Sequence, residues 1–249
     1  GAWGESMLER IRTLLYRLPL VEQLGVQLLV GLIISLACIG AFAAIADEVL
    51  EQDTLVQIDT EVANELHGQA TPASIQVYRV ISWIGMEGLW VLGALTALYF
   101  LLRRQRLHLA IWIAALLGGT LLNNVLKLVF ARARPVFADP FVIEHNFSFP
   151  SGHAMMSLIG FGLFAYFGWH ALRTSIGRII LVFAAILLIL LVGISRMTLG
   201  VHYLSDVVAG FAAGGVWLSA CITALNTIQR RKRAGDPAAQ EQTGIATTP

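Results

Sequence analysis

Six long apolar runs constrain this 249-residue chain more than any other feature. They are Leu24–Ala46, Val80–Leu102, Leu107–Phe130, Ala154–Leu172, Ile179–Ser195 and Tyr203–Gln229. All are far longer than strands and none alternates with period two, so they read as helices. Most reach the ~20 residues that cross a hydrocarbon core of ~30 Å, and backbone in lipid must satisfy its own hydrogen bonds. The expected fold is an all-α bundle of six transmembrane helices. Composition agrees: 57% of residues are hydrophobic and 13% charged, against about 25% charged in a soluble domain. That excludes a disordered chain, a disulfide scaffold and an ordinary soluble enzyme. The net charge of +1 offers no global attraction to nucleic acid, which is not expected as a partner. Cys38 and Cys221 lie inside apolar runs and read as small core or lipid-facing residues.

The loops set the orientation. If six helices alternate, twelve basic residues fall on one side: Arg10, Arg12, Arg17, Arg103, Arg104, Arg106, Arg173, Arg178, Arg230, Arg231, Lys232 and Arg233. The other side holds the remaining five, Arg79, Lys127, Arg132, Arg134 and Arg196, and an acidic first loop, Asp47–Arg79. By the positive-inside rule both termini are cytoplasmic. The chain divides into a cytoplasmic segment 1–23, a membrane domain 24–229 and a tail 230–249, basic and then disordered. The first run begins too far in for a cleaved signal peptide and is expected to be retained. Residues 1–6, ahead of Met7, are expected to be extraneous to the natural chain.

Ionisable groups at a membrane edge are costly and mark function by default. On the outer side they concentrate in three segments: Lys127 to Arg134-Pro135, closing the third helix; Pro150-Ser151-Gly152-His153, opening the fourth; and Ser195-Arg196 to His202 and Asp206, joining the fifth to the sixth. Alternating topology puts all three at one end, where they can meet. Lys127 and Arg134 are two helical turns apart and share a face until Pro135. With Arg196 they supply three cations, a match for phosphate. Ser151 is a plausible N-cap, so free N–H groups would point at an anion, and Gly152 permits close approach. His202 and Asp206, at i and i+4, can pair, fixing the tautomer and leaving one imidazole nitrogen as nucleophile or base.

These three segments, K-x6-RP, PSGH and SR-x5-H-x3-D, resemble the signature of the type 2 phosphatidic acid phosphatase superfamily, in its membrane lipid phosphatase branch. The resemblance matches at every defining position and extends to most of 24–229. It implies a phosphohistidine mechanism without metal or cofactor. His202 would attack phosphorus, oriented by Asp206. Lys127, Arg134, Arg196, Ser151 and Gly152 would bind the phosphoryl oxygens. His153 would protonate the leaving group and then activate water. The implied partners are a lipid phosphate and the membrane itself, with no obligate protein partner inferred.

The same residues admit rival readings. His153, His202 and Asp206 also spell a two-His-one-carboxylate metal triad, but three adjacent cations repel a divalent ion. A transporter would place charge near the midplane on broken, repeated helices, and no repeat is visible. Taken singly, Lys127 reads as a snorkelling residue and Arg134 and Arg196 as headgroup contacts. Asn123 and Asn124 read as interhelical hydrogen-bonding residues, and Glu87 as interfacial. His145 reads as a solvated loop residue, while His67, His108 and His170 have no catalytic company. Trp83 and Tyr203 fit the aromatic belt. Arg132, two residues before Arg134, serves either headgroup or substrate. Headgroup readers are expected in 47–79 and 138–149.

Overall fold

The computed structural model describes residues 19–52 and 54–234. The described residues are helical with no strands. The elements are α1 (Pro19–Glu51), α2 (Thr54–Gly68), α3 (Pro72–Trp83), a π-helical turn (Ile84–Gly88), α4 (Leu89–Leu102), α5 (Arg106–Phe130), α6 (Gly152–Ala171), α7 (Ser175–Thr198) and α8 (Leu204–Ala234). Six stretches are long and apolar enough to cross a membrane, with α3, the π turn and α4 forming one of them.

Two expectations shift. The acidic segment 47–79 is helical rather than an open loop: it carries α2 and the start of α3. Thr71 and Ser74 close a reciprocal capping box ahead of α3, which begins the second span at Pro72 instead of Val80. The basic stretch Arg230–Lys232 continues α8 as helix. Most of 1–23, and the disordered tail expected at 235–249, lie outside the described residues.

The bundle is built around α6. Its neighbours are α7, α8 and α5, while α1 runs antiparallel to α8, with the Ser219 hydroxyl donating to Gly31 O at 3.0 Å. The core holds Leu89, Trp112, Met155, Ile159 and Leu163, with Trp112 Nε1 donating to Gly93 O at 2.9 Å. On the outside, Ile33 and Leu36 of α1, Val91 and Leu95 of α4, and Ile179 and Phe183 of α7 are exposed. Apolar side chains facing outward along whole helices suit a lipid surrounding. Buried polar residues gather instead at one end: Asp59, Asn123, Lys127, Ser148, Ser151, Arg196, His202 and Asp206.

Two glycines set the geometry of that end. Gly200 turns α7 into α8 at φ +73°, which side chains resist, and a Cβ there would meet the Phe137 ring at 3.0 Å. Gly210 seats α8 on the first turn of α6, where a Cβ would stand 2.6 Å from Ser151 O. Alanine gains about 1 kcal/mol of helix propensity over glycine. Forcing backbone apart costs about 1–3 kcal/mol, so the clash wins at Gly210. Thermal unfolding in detergent should therefore show Gly210→Ala melting below the parent. Gly40→Ala, where a Cβ meets nothing within 4 Å, should not lower the midpoint. Equal midpoints for the two variants would refute this account of the α6–α8 contact.

Candidate active site

α5 ends because Ala131, at φ 45°, turns the chain out of the helix into the segment 131–151. That segment folds over the bundle end and returns to α6. Ser151 caps α6 as its sequence suggested, its Oγ facing Ala154 N at 3.5 Å, and its own N–H donates to Asp206 O at 2.9 Å. Beside it, Phe149 packs tilted against Phe42 and edge-to-face against Phe130, tying α1 and the end of α5 to the same point.

His202 is 1% exposed and Asp206 is fully buried. Nδ1 of His202 lies 3.3 Å from Asp206 Oδ2 and 3.3 Å from Ser148 Oγ. Nε2 lies 3.1 Å from Arg134 Nη1. Guanidinium has no lone pair to offer, so Nε2 accepts and the ring proton sits on Nδ1, facing the carboxylate. Asp206 also accepts from Tyr203 N–H at 2.9 Å and from the Ser148 hydroxyl. The tautomer expected from the i, i+4 spacing is thus the one that the network selects. Burial pulls the imidazole down to about 4, against the upward pull of its bond to Asp206, so the ring is neutral at pH 7.

A cavity of about 160 Å³ adjoins Nε2. Lys127, Arg134, Gly152, His153 and His202 all line it, together with Glu144 and Asn146 of the covering segment. Met86, Trp90, Thr120, Asn123, Asn124 and Met156 form its remaining wall. Three of the predicted residues stand behind that wall. Asp206 orients His202, Ser151 caps α6, and Arg196 reaches in from α7 with Nη1 donating to Ser82 Oγ at 2.6 Å. Lys127 Nζ is held by the carbonyls of Phe147 and Ser148. Among the described residues, no three His, Cys, Asp or Glu side chains converge as a metal-binding group.

Several participants were not singled out in the sequence. Glu144 bridges the two arginines: Oε2 meets Arg134 Nη2 at 2.7 Å and Oε1 meets Arg196 Nη2. Burial raises its pKa, but Arg196 and Arg134 outweigh this and hold the carboxyl below its ordinary value. Asn146 binds Arg134 through its carbonyl at 2.8 Å and its side chain. Arg196 Nε is buried without a partner.

Arg132 finds its place here. Nη2 meets Asp59 Oδ2 at 2.8 Å, and Nη1 meets Asp206 Oδ1 and Ser205 Oγ, each at 2.7 Å. Its guanidinium lies 4.4 Å over the Tyr203 ring, so Tyr203 is a platform for a buried cation. Asn123 donates to Pro150 O at 3.3 Å, steadying the loop before α6, and both Asn123 and Asn124 line the cavity. His67 is stacked between Phe137 and Phe141 and bonds Asp139 at 3.0 Å.

The fold and the clustered residues define a multi-pass membrane protein of the PAP2 superfamily, the family anticipated from the three segments. The family model described as "PAP2 superfamily" matches residues 107–230. A phosphatidylglycerophosphatase B of Bacillus subtilis is 45% identical over 96 residues, 38% of this chain and 46% of that protein. A lipid A 1-phosphatase of Rhizobium etli is 39% identical over 131 residues, 47% of this chain and 51% of that protein. The chain thus spans about half the length of the curated relatives it matches. The crystal structure of a transmembrane PAP2 type phosphatidylglycerolphosphate phosphatase from Bacillus subtilis superposes with a TM-score of 0.70. It is 28% identical and covers 79% of this chain and 96% of its own. Aquifex aeolicus LpxE, at TM-score 0.53 and 21% identity over 66% of this chain and 94% of its own, shares the fold.

The Arg132 cluster yields a test. Removing one partner of a buried ion pair costs about 3–5 kcal/mol, because the other charge is left unpaired. Asp59→Ala should lower the unfolding midpoint strongly. The double variant with Arg132→Met should lie above the sum of the single losses in a double-mutant cycle. Strict additivity would mean that the pair is not coupled.

Proposed function

We propose that the chain is an integral-membrane lipid phosphatase that works through a phosphohistidine, without metal or cofactor. The observation that carries this reading is the His202 Nε2 lone pair, fixed by Asp206 and accepting from Arg134 beside a cavity lined by Lys127, Arg134, His153 and His202 itself. Nε2 attacks phosphorus in line with the leaving oxygen. Arg134, Arg196 and Lys127 take up the equatorial oxygens, with the N–H groups of Gly152 and the first turn of α6. The P–O bond breaks as the N–P bond forms, and His153 gives its proton to the leaving alkoxide or phosphate. His153, now neutral, takes a proton from water. That water attacks the phosphohistidine, releases inorganic phosphate and restores Nε2.

Glu144 stands between the two guanidiniums that a phosphate needs. Its carboxylate offers two oxygens to Arg134 and Arg196 as a phosphate would. Substrate phosphate exchanges for it, and the buried Arg196 Nε supplies a further donor. The wall made by Met86, Trp90, Thr120 and Asn124 belongs to the helical stretch around the π turn and to α5, where the lipid-facing surface begins. It suits a substrate whose chains stay in lipid while the phosphate moves sideways into the site. Undecaprenyl diphosphate, phosphatidylglycerol phosphate and phosphatidic acid fit this description. The similarity to a phosphatidylglycerophosphatase B and a lipid A 1-phosphatase also favours a membrane lipid phosphate. The excess of Lys and Arg at the opposite end favours an active site on the outer face of the cytoplasmic membrane.

Phosphate release from phosphatidylglycerol phosphate and undecaprenyl diphosphate, in detergent with excess EDTA, tests the reading. Activity should survive the chelator, and His202→Ala should lower kcat by about 10³-fold or more, as loss of a covalent nucleophile does. The acid limb of kcat/KM should fall near pH 4, because protonating Nε2 removes the attacking lone pair below the pKa of the buried ring. EDTA inhibition reversed by zinc or manganese would overturn the mechanism.

Glu144→Gln keeps the shape of the bridge and removes its charge. Inorganic phosphate should then inhibit about tenfold more tightly, a difference of about 1.4 kcal/mol, while the unfolding midpoint falls because two cations lose their counterion. Weaker inhibition would instead place Glu144 beside the bound phosphate.

A further inference from the structure

A second cavity, larger than the one at the site, lies at the opposite end of the bundle. It has a volume of about 810 Å³, within the ~300–1,000 Å³ typical of small-molecule sites. The last turns of α4, α6 and α8 and the start of α5 enclose it. Its lining is largely apolar, with Phe100, Phe164 and Leu225 and, on the exposed outer side of α4, Leu95. Its polar groups are organised: Tyr166 OH donates to Asn226 Oδ1 at 2.6 Å, His170 Nδ1 meets Tyr166 O at 2.8 Å, and Gln229 Nε2 meets His108 Nε2 at 3.1 Å. Arg230 adds a formal charge to the lining.

The stretches that line the cavity, 89–130, 152–198 and 207–234, contain no aspartate or glutamate, although the start of α1 at the same end carries Glu22. Arg103, Arg104 and Arg106 follow α4 directly, and Arg231 and Lys232 follow Arg230. An apolar chamber with a cationic polar lining, between helices at a membrane edge, has the chemistry that retains an acidic lipid headgroup. Nothing in the phosphatase reading uses these residues.

We infer that this cavity is a binding site for an anionic phospholipid that is not the substrate. Its phosphate pairs with Arg230 and takes hydrogen bonds from the polar groups around His108 and His170, while an acyl chain runs along Leu95, Phe100 and Phe164. The site is independent of the His202 centre and stands whether or not that centre is a phosphatase.

The test uses the full-length protein in a neutral detergent. Dioleoylphosphatidylglycerol is titrated while thermal unfolding is followed, and native mass spectrometry counts the lipid retained. Phosphatidylcholine and inorganic phosphate serve as separate probes. Phosphatidylglycerol should raise the midpoint saturably and remain bound at one copy, whereas the other two should not. Arg230→Gln should weaken its apparent Kd about tenfold, the loss of roughly one charge-assisted contact. Thr96→Trp, which fills the chamber from α4, should do the same without altering charge, so a folding defect in one variant is checked by the other. His202→Ala should bind as the parent does, which separates this site from the catalytic one. Equal shifts with phosphatidylcholine would mean a nonspecific apolar surface. An equal shift with inorganic phosphate would mean a simple anion site. Unchanged affinity in both Arg230→Gln and Thr96→Trp, or lost affinity in His202→Ala, would place the lipid elsewhere. Each of these outcomes overturns the inference.

Discussion

Arg132 holds together the end of the bundle on which everything else depends. One guanidinium, 11% exposed, spans Asp59 of α2 and Asp206 of α8 from the segment between α5 and α6. Burying charge is repaid only when the remaining donors and acceptors are also matched, and here they are. Asp59 accepts from Ser205 N–H at 2.9 Å and from its hydroxyl, and Asp206 accepts from Tyr203, Ser148 and His202. The consequence reaches beyond stability. Asp206 cannot swing without breaking several bonds at once, so the His202 ring is held at one tautomer and one angle.

The same accounting explains why the anion site keeps a carboxylate. Arg134 and Arg196 approach a common point from different segments, and two unscreened guanidiniums there would repel across a short distance. Glu144 neutralises them from the covering segment. Replacing a monoanion by a phosphate dianion between the same donors gains Coulomb energy, whereas a neutral headgroup gains none. Under the phosphatase reading, selectivity for the phosphate therefore resides in an exchange of anions, and the lipid chains contribute affinity that is largely indifferent to it.

The architecture was legible because its signals are long. Six apolar runs survive any small error at their ends, and alternation alone carries Lys127, Ser151–His153 and Arg196–Asp206 to one end of the bundle. The partners were not legible because each is a single residue whose position depends on how a segment returns through space. Glu144, Asn146 and Ser148 sit in 131–151, which has no period to read. Asp59 left a trace: it shares a face with the buried Ala63 among Leu55, Val56, Ile58 and Val62, an acid in an apolar register. Arg134 is marked in the sequence by the Pro135 that follows it and by its spacing from Lys127, whereas the place of Arg132 depends on Asp59, a partner 73 positions away.

The helices that open the catalytic end are also those that close the other cavity. α6 begins at Gly152 and His153 and ends at Tyr166 and His170; α8 begins beside His202 and ends at Asn226, Gln229 and Arg230. Between these ends they touch through Gly210 and Gly214, whose Cβ positions would lie 2.6 and 2.9 Å from backbone carbonyls of α6. A contact so close leaves little room for sliding, so the two ends move as parts of one body. A lipid in the lower cavity binds the folded bundle and stabilises it by mass action whatever the state of the site. It alters chemistry only if its affinity differs between two arrangements of α6 and α8, and the glycine seam argues that they share one. Occupancy of that cavity should thus set how long the protein stays folded rather than, under the phosphatase reading, how fast it turns over.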